Sequence, residues 1–483
     1  MCWRNLAPRK IMGLKLFNTL SKSIELFQPL DPEGRKVGMY CCGPTVHDFA
    51  HIGNFRTFVL SDLVRRYLGF KGFDVRHVMN ITDVEDKIIA RVKASGTTLG
   101  AYTKKYEDAF LNDLKELRCE SPHDMPRATE HMPSIIDLIA RLVERGVAYA
   151  AKDGSVYFSI GKYQEAGCCY GQLQKLDFDQ MRPGERVQSD EYAKDAIADF
   201  ALWKARTEDD GEVFWESPWG QGRPGWHVEC SAMSMQYLGT SFDLHLGGED
   251  LKFPHHEDEI AQSEGAGVQE QGQRFVKHWV HGSHLQVEGK KMSKSLGNFF
   301  TLRDLLDKGF SGREIRFVLI SAHYRETFNF TMEGLNGART AMGRLDECLF
   351  KLKQQAGDAA AEGESELIAK FETAMDDDLN VSAAWAAVFE WVRDTNRQLA
   401  DQTMTAALAA AQLKAWERVD SVLGIGNEEQ GDDTPEEILS LAEQRQQARK
   451  DKNWAEADRL RDELKSRGWV IEDTPNGPRP KRI

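Results

Sequence analysis

An apolar run at residues 37–41 ends in the loop Gly43-Pro44-Thr45, and a helical period follows at Phe55, Phe58, Val59, Leu63 and Tyr67. A second strand-like stretch, residues 73–80, comes directly after it. Strand, turn, helix and strand in that order predict a parallel pair with a right-handed crossover, and ligands gather at the carboxyl ends of such strands. Cys42 and the segment Asn80-Ile81-Thr82-Asp83 both fall at those ends. The helix opens on His51-Ile52-Gly53-Asn54, where orphan N–H groups and the positive dipole end suit a phosphate. A chain that starts this way is expected to fold as α/β.

Some 240 residues on, Lys291-Met292-Ser293-Lys294-Ser295 lies between Gly289 and Gly297 and, with Lys290, puts three lysines on one loop. A histidine-bearing helix start and a distant cationic flap are what adenylate formation needs, because negative charge builds on the nucleotide phosphates in the transition state. The two strings resemble the HIGH and KMSKS signatures of class I aminoacyl-tRNA synthetases. Alone, each has a bland reading: a capping histidine, or a solvated lysine loop. Their order, separation and context carry the resemblance. Asn54 stands where that family has its final histidine; it can donate a hydrogen bond but cannot be cationic.

At 483 residues the length suggests roughly three domains, and 41% hydrophobic with 29% charged residues suits a soluble globular enzyme. No run of about 18 apolar residues occurs, so no membrane span is predicted. Residues 1–12 carry Arg4, Arg9 and Lys10 but lack the apolar centre of a secretory signal. Met12 is an alternative start, and a transit peptide the other reading. Eight irregularly spaced cysteines argue against a disulfide scaffold and for a reducing cytoplasm, the expected location. A net charge of -14 means that any nucleic acid must meet a local basic surface; from Ser440 onward, eleven Lys and Arg oppose eight Asp and Glu.

With the class I resemblance, the pattern implies a Rossmann-type parallel-sheet catalytic domain split between residues 14–87 and 200–284, with a connective insertion at 88–199. A flap and stem-contact region follows at 285–350, then a helical bundle at 351–423. The Gly-, Asp- and Glu-rich stretch 424–434 is expected to be a linker to a small α+β module at 435–483 that ends in a single strand at residues 469–471. Ser311 with Glu314, and more loosely Thr301 with Asp304, predict helix starts of the capping-box kind.

Within the second catalytic half stands Phe253-Pro254-His255-His256-Glu257-Asp258-Glu259. A helix begun at Pro254 puts His255 and Glu259 on one face, a spacing that can hold a divalent metal or merely a surface pair. A soft tetrahedral site also needs thiolates, and Cys42 and Cys230 are available from two other segments. The strings Gly38-Met39-Tyr40-Cys41-Cys42-Gly43, Gly225-Trp226-His227-Val228-Glu229-Cys230-Ser231 and Met375-Asp376-Asp377-Asp378 extend the resemblance, from Leu14 onward, to the cysteinyl branch of the class I synthetases. That resemblance implies one Zn2+ per chain on Cys42, Cys230, His255 and Glu259. It also implies a substrate pocket at Thr82, Trp226, His245 and Asp250, and ATP contacts from His47, His51, Asn54, Lys291 and Lys294. Of these His51, Lys291 and Lys294 are the expected catalytic groups. Cys41 is expected in the core, on the opposite face from Cys42.

The implied activity is ATP-dependent activation of L-cysteine, with Mg2+, and transfer of the acyl group to the 3′ end of tRNA(Cys) by a monomer. Arg445, Arg449, Lys450 and Lys452, expected along one charged helix with Trp454 close by, are candidates for the RNA surface, with a solvated helix as the alternative; Trp469 is a second candidate, or else closes the small terminal core. Two other readings stay open. One is a ligase that passes the cysteinyl adenylate to a small amine such as an amino sugar; the other is a zinc-stabilised RNA-binding protein without catalysis.

Overall fold

The computed structural model describes residues 13–174, 199–293, 296–426, 435–474 and 477–482. They fall into two compact units that divide after Ile425. The first unit opens with the hairpin β1 (Lys15–Asn18) and β2 (Ser23–Leu26), followed by β3 (Lys36–Cys41), α1 (Ile52–Lys71) and β4 (Asp74–Met79). Helix α1 runs 20 residues because Phe55, Val59, Leu63 and Tyr67 recur on its buried side, and it stops where Gly72 adopts φ 96°. An inserted region follows: α2 (Asp86–Ser95), α3 (Leu99–Glu116), α4 (Met132–Glu144), β5 (Ala148–Ala150), β6 (Val156–Phe158), α5 (Ile160–Glu165), β7 (Phe200–Ala205) and β8 (Gly222–Pro224).

Strands β5 to β8 form their own antiparallel sheet in sequence order. Residues 200–224, expected in the second half of the catalytic sheet, therefore pair with the insertion. An apolar run such as Phe200-Ala201-Leu202-Trp203, buried on both faces, does not reveal its partner from pattern alone.

The chain returns to the parallel sheet through α6 (Trp226–Leu238), β9 (Phe242–Gly248), α7 (Glu257–Gly265) and β10 (Val276–Gly282). The sheet order is β10-β9-β3-β4, every pair parallel. From the adjacent strands β3 and β9 the chain progresses to opposite edges, so the crevice opens beyond their carboxyl ends. Cys42 leaves β3 there, and Gly248 with Asp250 leave β9. Cys41 packs on the α1 side, among Phe55 and Leu246, while Cys42 joins Tyr40, Cys230 and Trp279 on the other face.

Beyond the sheet come β11 (Leu285–Val287), β12 (Lys290–Lys291), α8 (Leu302–Leu306), α9 (Gly312–Leu319) and β13 (Phe328–Phe330). Both expected capping boxes are present, and that of Thr301 and Asp304 is fully reciprocal. Four helices complete the unit: α10 (Met332–Ala356), α11 (Leu367–Asp376), α12 (Val381–Ala400) and α13 (Ala406–Leu423).

The second unit holds α14 (Glu436–Lys450), α15 (Trp454–Ser466) and the antiparallel hairpin of β14 (Trp469–Thr474) with β15 (Gly477–Arg482). Sequence reasoning expects one strand here. The proline-rich tail pairs as well, because proline is tolerated on an edge strand with no further neighbour. Among the described residues no helix is long and apolar enough to cross a membrane.

Candidate active site

Four residues from three segments converge at the carboxyl end of the parallel sheet. Cys42 follows β3, its N–H donating to the Leu246 carbonyl at 3.3 Å. Cys230 comes from α6, one turn after Trp226. His255 sits in a wide turn, Lys252–His256, in which Phe253 is non-helical, so the helix proper begins only at Glu257. His255 nevertheless meets Glu259, with Nε2 3.0 Å from Oε1. Cys42 Sγ lies 3.9 Å from Cys230 Sγ, 3.5 Å from His255 Nε2 and 3.6 Å from Glu259 Oε1. A tetrahedral zinc with bonds of about 2.3 Å to sulfur and about 2.05 Å to nitrogen or oxygen needs edges of about 3.8 Å (S–S), about 3.6 Å (S–N or S–O) and about 3.3 Å (N–O). The three edges from Cys42 and the His255–Glu259 edge match that frame to within about 0.3 Å, all four donor atoms lie within 4.8 Å of one another, and none of the residues is more than 6% exposed.

The four groups shift one another's pKa values in opposite directions. Burial pushes the Cys42 thiol well up, while its hydrogen bond to Cys230 brings that neighbour down to about 6. Burial alone would lower the His255 pKa, but Cys230 and Glu259 raise it to about 10. Burial likewise opposes ionisation of Glu259, and His245 followed by His255 holds it at about 2. The pull on Cys230 and Glu259 toward their charged forms is that of a site built to hold a cation, and metal binding to such donors releases protons.

A second, overlapping set (Cys42, His245, His256, Glu259) is also close enough to hold an ion. Its histidines are already engaged. His245 Nε2 lies 2.9 Å from Glu259 Oε2, and its ring stacks on Trp279 at 4.5 Å. His256 Nδ1 pairs with His281 Nε2 at 2.7 Å, and His281 Nδ1 with Thr19 Oγ1 at 2.8 Å. Such partners orient metal ligands in other sites. His245, expected in the substrate pocket, is fully buried behind Glu259.

Above the quartet a cavity of about 760 Å3 is lined by Cys42, His47, His51, Asn54, Trp226, Asp250 and Lys291, among others. Trp226 lies 4.4 Å from the His255 ring and stays 38% exposed, a wall between quartet and cavity. Asp250 is exposed in that cavity. Thr82 is buried and accepts from Asn80 Nδ2 at 3.1 Å. His47 Nδ1 lies 3.1 Å from the Thr45 carbonyl; burial, then Arg91, lowers its pKa.

His51 caps α1. Its Nδ1 accepts from the Asn54 N–H, and its own N–H donates to Asn54 Oδ1. The flap returns to the same point, the Ile52 N–H donating to the Phe300 carbonyl at 3.0 Å. A Cβ on Gly53 would sit 3.0 Å from the His51 ring and 3.2 Å from Met292 Cε, so glycine lets the helix start and flap approach. Lys291 is exposed on β12; Lys294 lies outside the described residues. In the second unit Arg445, Arg449 and Lys450 lie on α14, but Lys452, expected on the same helix, falls in the turn after it with φ 58°; Trp454 is 61% exposed at the head of α15, and Trp469 opens β14.

Sequence reasoning misses the supporting shell of His256, His281, Trp279 and Thr19. Its only signals were the doublet His255-His256 and the histidine at position 281, both easily taken for core.

The family model described as tRNA synthetases class I (C) catalytic domain matches residues 27–340. A DALR domain matches residues 370–427, and a cysteinyl-tRNA ligase anticodon binding domain residues 431–478. The cysteine–tRNA ligase of Chlamydia muridarum is 46% identical over 492 residues, covering 98% of this chain and 100% of the relative. That of Protochlamydia amoebophila is 42% identical, covering 98% of each. Mycobacterium tuberculosis methionyl-tRNA synthetase in complex with methionyl-adenylate superposes with a TM-score of 0.59 at 14% identity, covering 80% of this chain and 90% of that one, a likeness of fold alone. The chain belongs to the cysteine–tRNA ligase family of class I aminoacyl-tRNA synthetases.

Proposed function

We propose that the chain is a monomeric cytoplasmic enzyme that activates L-cysteine with ATP and Mg2+ to cysteinyl-adenylate and transfers the cysteinyl group to the 3′ end of tRNA(Cys). One observation carries this reading: Cys42 belongs both to the buried quartet and to the wall of the cavity that His51 and Lys291 share. A purely structural metal site would be closed off on all sides. Zinc held by Cys42, Cys230, His255 and Glu259 supplies a thiophilic Lewis acid that prefers a substrate thiolate to the harder, more basic serine hydroxyl.

The remaining work falls to side chains. Asp250 neutralises the substrate ammonium, Trp226 confines the short side chain, and His245 holds Glu259 in its orientation. His51 and the start of α1 take the nucleotide phosphates, while Lys291 and Lys294 neutralise charge as pyrophosphate departs. No covalent enzyme intermediate is required; catalysis is positioning and charge stabilisation. The second unit takes the anticodon, with Trp454 offering a stacking surface.

Cysteine-dependent exchange of pyrophosphate into ATP, followed by charging of tRNA(Cys), is the test. Exchange with cysteine but not with serine is expected. Zinc-loaded protein that exchanges nothing at any cysteine concentration, or acylates only an amino sugar, contradicts the reading.

A further inference from the structure

Arg56 lies on α1 between His51 and the buried core, and is only 4% exposed. Burial draws its pKa down to about 10, so it stays cationic at neutral pH. Among the described residues no carboxylate forms an ion pair with it. Its Nη2 donates instead to the backbone carbonyls of Glu326 at 2.7 Å and His323 at 3.2 Å, and the guanidinium lies 5.0 Å from the centre of the Phe328 ring. Nη1 is buried with no hydrogen-bond partner. The charge of Glu326 offsets the burial of Arg56 only in part, and a buried cation with no contact ion pair is a poor device for stability, where an apolar residue would serve better. What it grips is more informative.

The gripped segment, residues 323–326, leads straight into β13. Strand β13 pairs in parallel with β11, placing Leu285 opposite Phe328, and β11 pairs antiparallel with β12, placing Gln286 opposite Lys291. Side bonds stiffen this path: Gly289 N–H to Asn329 Oδ1 at 2.7 Å, and Ser283 N–H to the Tyr324 carbonyl at 2.8 Å. Asp378 holds the same segment from the helical bundle, accepting from Tyr324 Oη at 2.6 Å and Arg325 Nε at 2.7 Å. Arg56 is therefore a hydrogen-bonding grip from α1 itself, beside the direct packing of α1 on β11. It joins the helix that begins at His51 to the three-stranded sheet that carries Lys291.

We infer that Arg56 is a positioning residue for adenylate formation: it sets the distance between the His51 end of α1 and the Lys291 strand. This rests on the function proposed above. It touches neither substrate nor metal ligands, so its loss displaces one phosphate-binding element relative to the other while leaving the cysteine pocket in place.

The test compares Arg56→Gln with Leu63→Ala, a truncation on the same helix that lines the same small cavity as Arg56. Both are measured by pyrophosphate exchange, bound zinc and urea midpoint. Arg56→Gln is expected to lower kcat by roughly 10- to 100-fold, since a displacement of about 1 Å can cost that much, with KM for cysteine and zinc content unchanged. Leu63→Ala, although it also lowers the urea midpoint, is expected to keep its kcat. Arg56→Lys, which keeps the charge and reach, should recover part of the loss. Equal kcat losses in Arg56→Gln and Leu63→Ala overturn the inference, as does a loss of cysteine affinity that matches the loss of kcat. If Arg56→Gln does not fold, Arg56→Lys is judged by the same comparison. An unsubstituted protein without exchange overturns the proposed function itself, a result separate from these.

Discussion

Asn54 and His51 close a reciprocal pair at the head of α1: the Asn54 N–H donates to His51 Nδ1 at 3.2 Å while the His51 N–H donates to Asn54 Oδ1 at 3.1 Å. The residue that departs from the family string thus acts as an acceptor, and the pair fixes the orientation of the His51 ring at the helix start. Asn54→Ala removes one half of the box. It should lower the stability of the first unit by about 1 kcal/mol in urea unfolding and raise KM for ATP more than KM for cysteine. Unchanged stability would show that the cap contributes nothing.

His245 has a different task from a substrate contact if its 2.9 Å bond to Glu259 matters. His245→Asn should weaken metal affinity by about 10- to 100-fold in competition with a chelator, the usual effect of losing an orienting partner. Wild-type affinity in that variant, with cysteine binding lost, would return His245 to the substrate wall.

The proposed cysteine pocket makes a sharper demand of Cys230. Cys230→Ser, by replacing a soft donor with a hard one, should depress cysteine activation by at least about tenfold more than it changes KM for ATP. Selection of cysteine over serine should fall with it. Full discrimination in the variant would detach the quartet from substrate choice.

Two buried neutral histidines make the fold acid-sensitive. His77 on β4 lies 3.1 Å from Ser61 Oγ, and burial, reinforced by Arg65, brings its pKa down to about 3; burial brings His278 to about 4. The unfolded chain takes up these protons near the ordinary value of 6.5, the folded protein only far below it. Their stabilisation is therefore complete above that value and is lost as pH falls, by about 1.4 kcal/mol per pH unit for each histidine. Urea unfolding at pH 7, 6 and 5 should show this decline, shallower by about 1.4 kcal/mol per unit in His77→Gln. Parallel profiles for the two proteins would contradict it.

Much of this was legible because the chemistry sits in short local strings. His51 to Asn54 follows a strand and opens a helix, the lysine loop is bracketed by glycines, and two thiols with His255 and Glu259 make a donor set of evident softness. Other features depend on residues far apart in sequence. Arg56 finds carbonyls 267 and 270 positions away, and His281 reaches back 262 positions to Thr19; no spacing rule predicts either. The pairing of β7 with β6 was hidden for another reason, since a strand buried on both faces has no alternation to mark its neighbours. At the C-terminus two prolines disguised β15, although an edge position accommodates them.

Metal content tests most directly the proposal that the quartet holds a metal at the floor of a cysteine pocket. Freshly purified, active protein should carry about one zinc per chain by elemental analysis, falling close to zero in Cys42→Ala and Cys230→Ala together with cysteine-dependent exchange, while both variants still fold. Full activity in protein with no bound transition metal would contradict it.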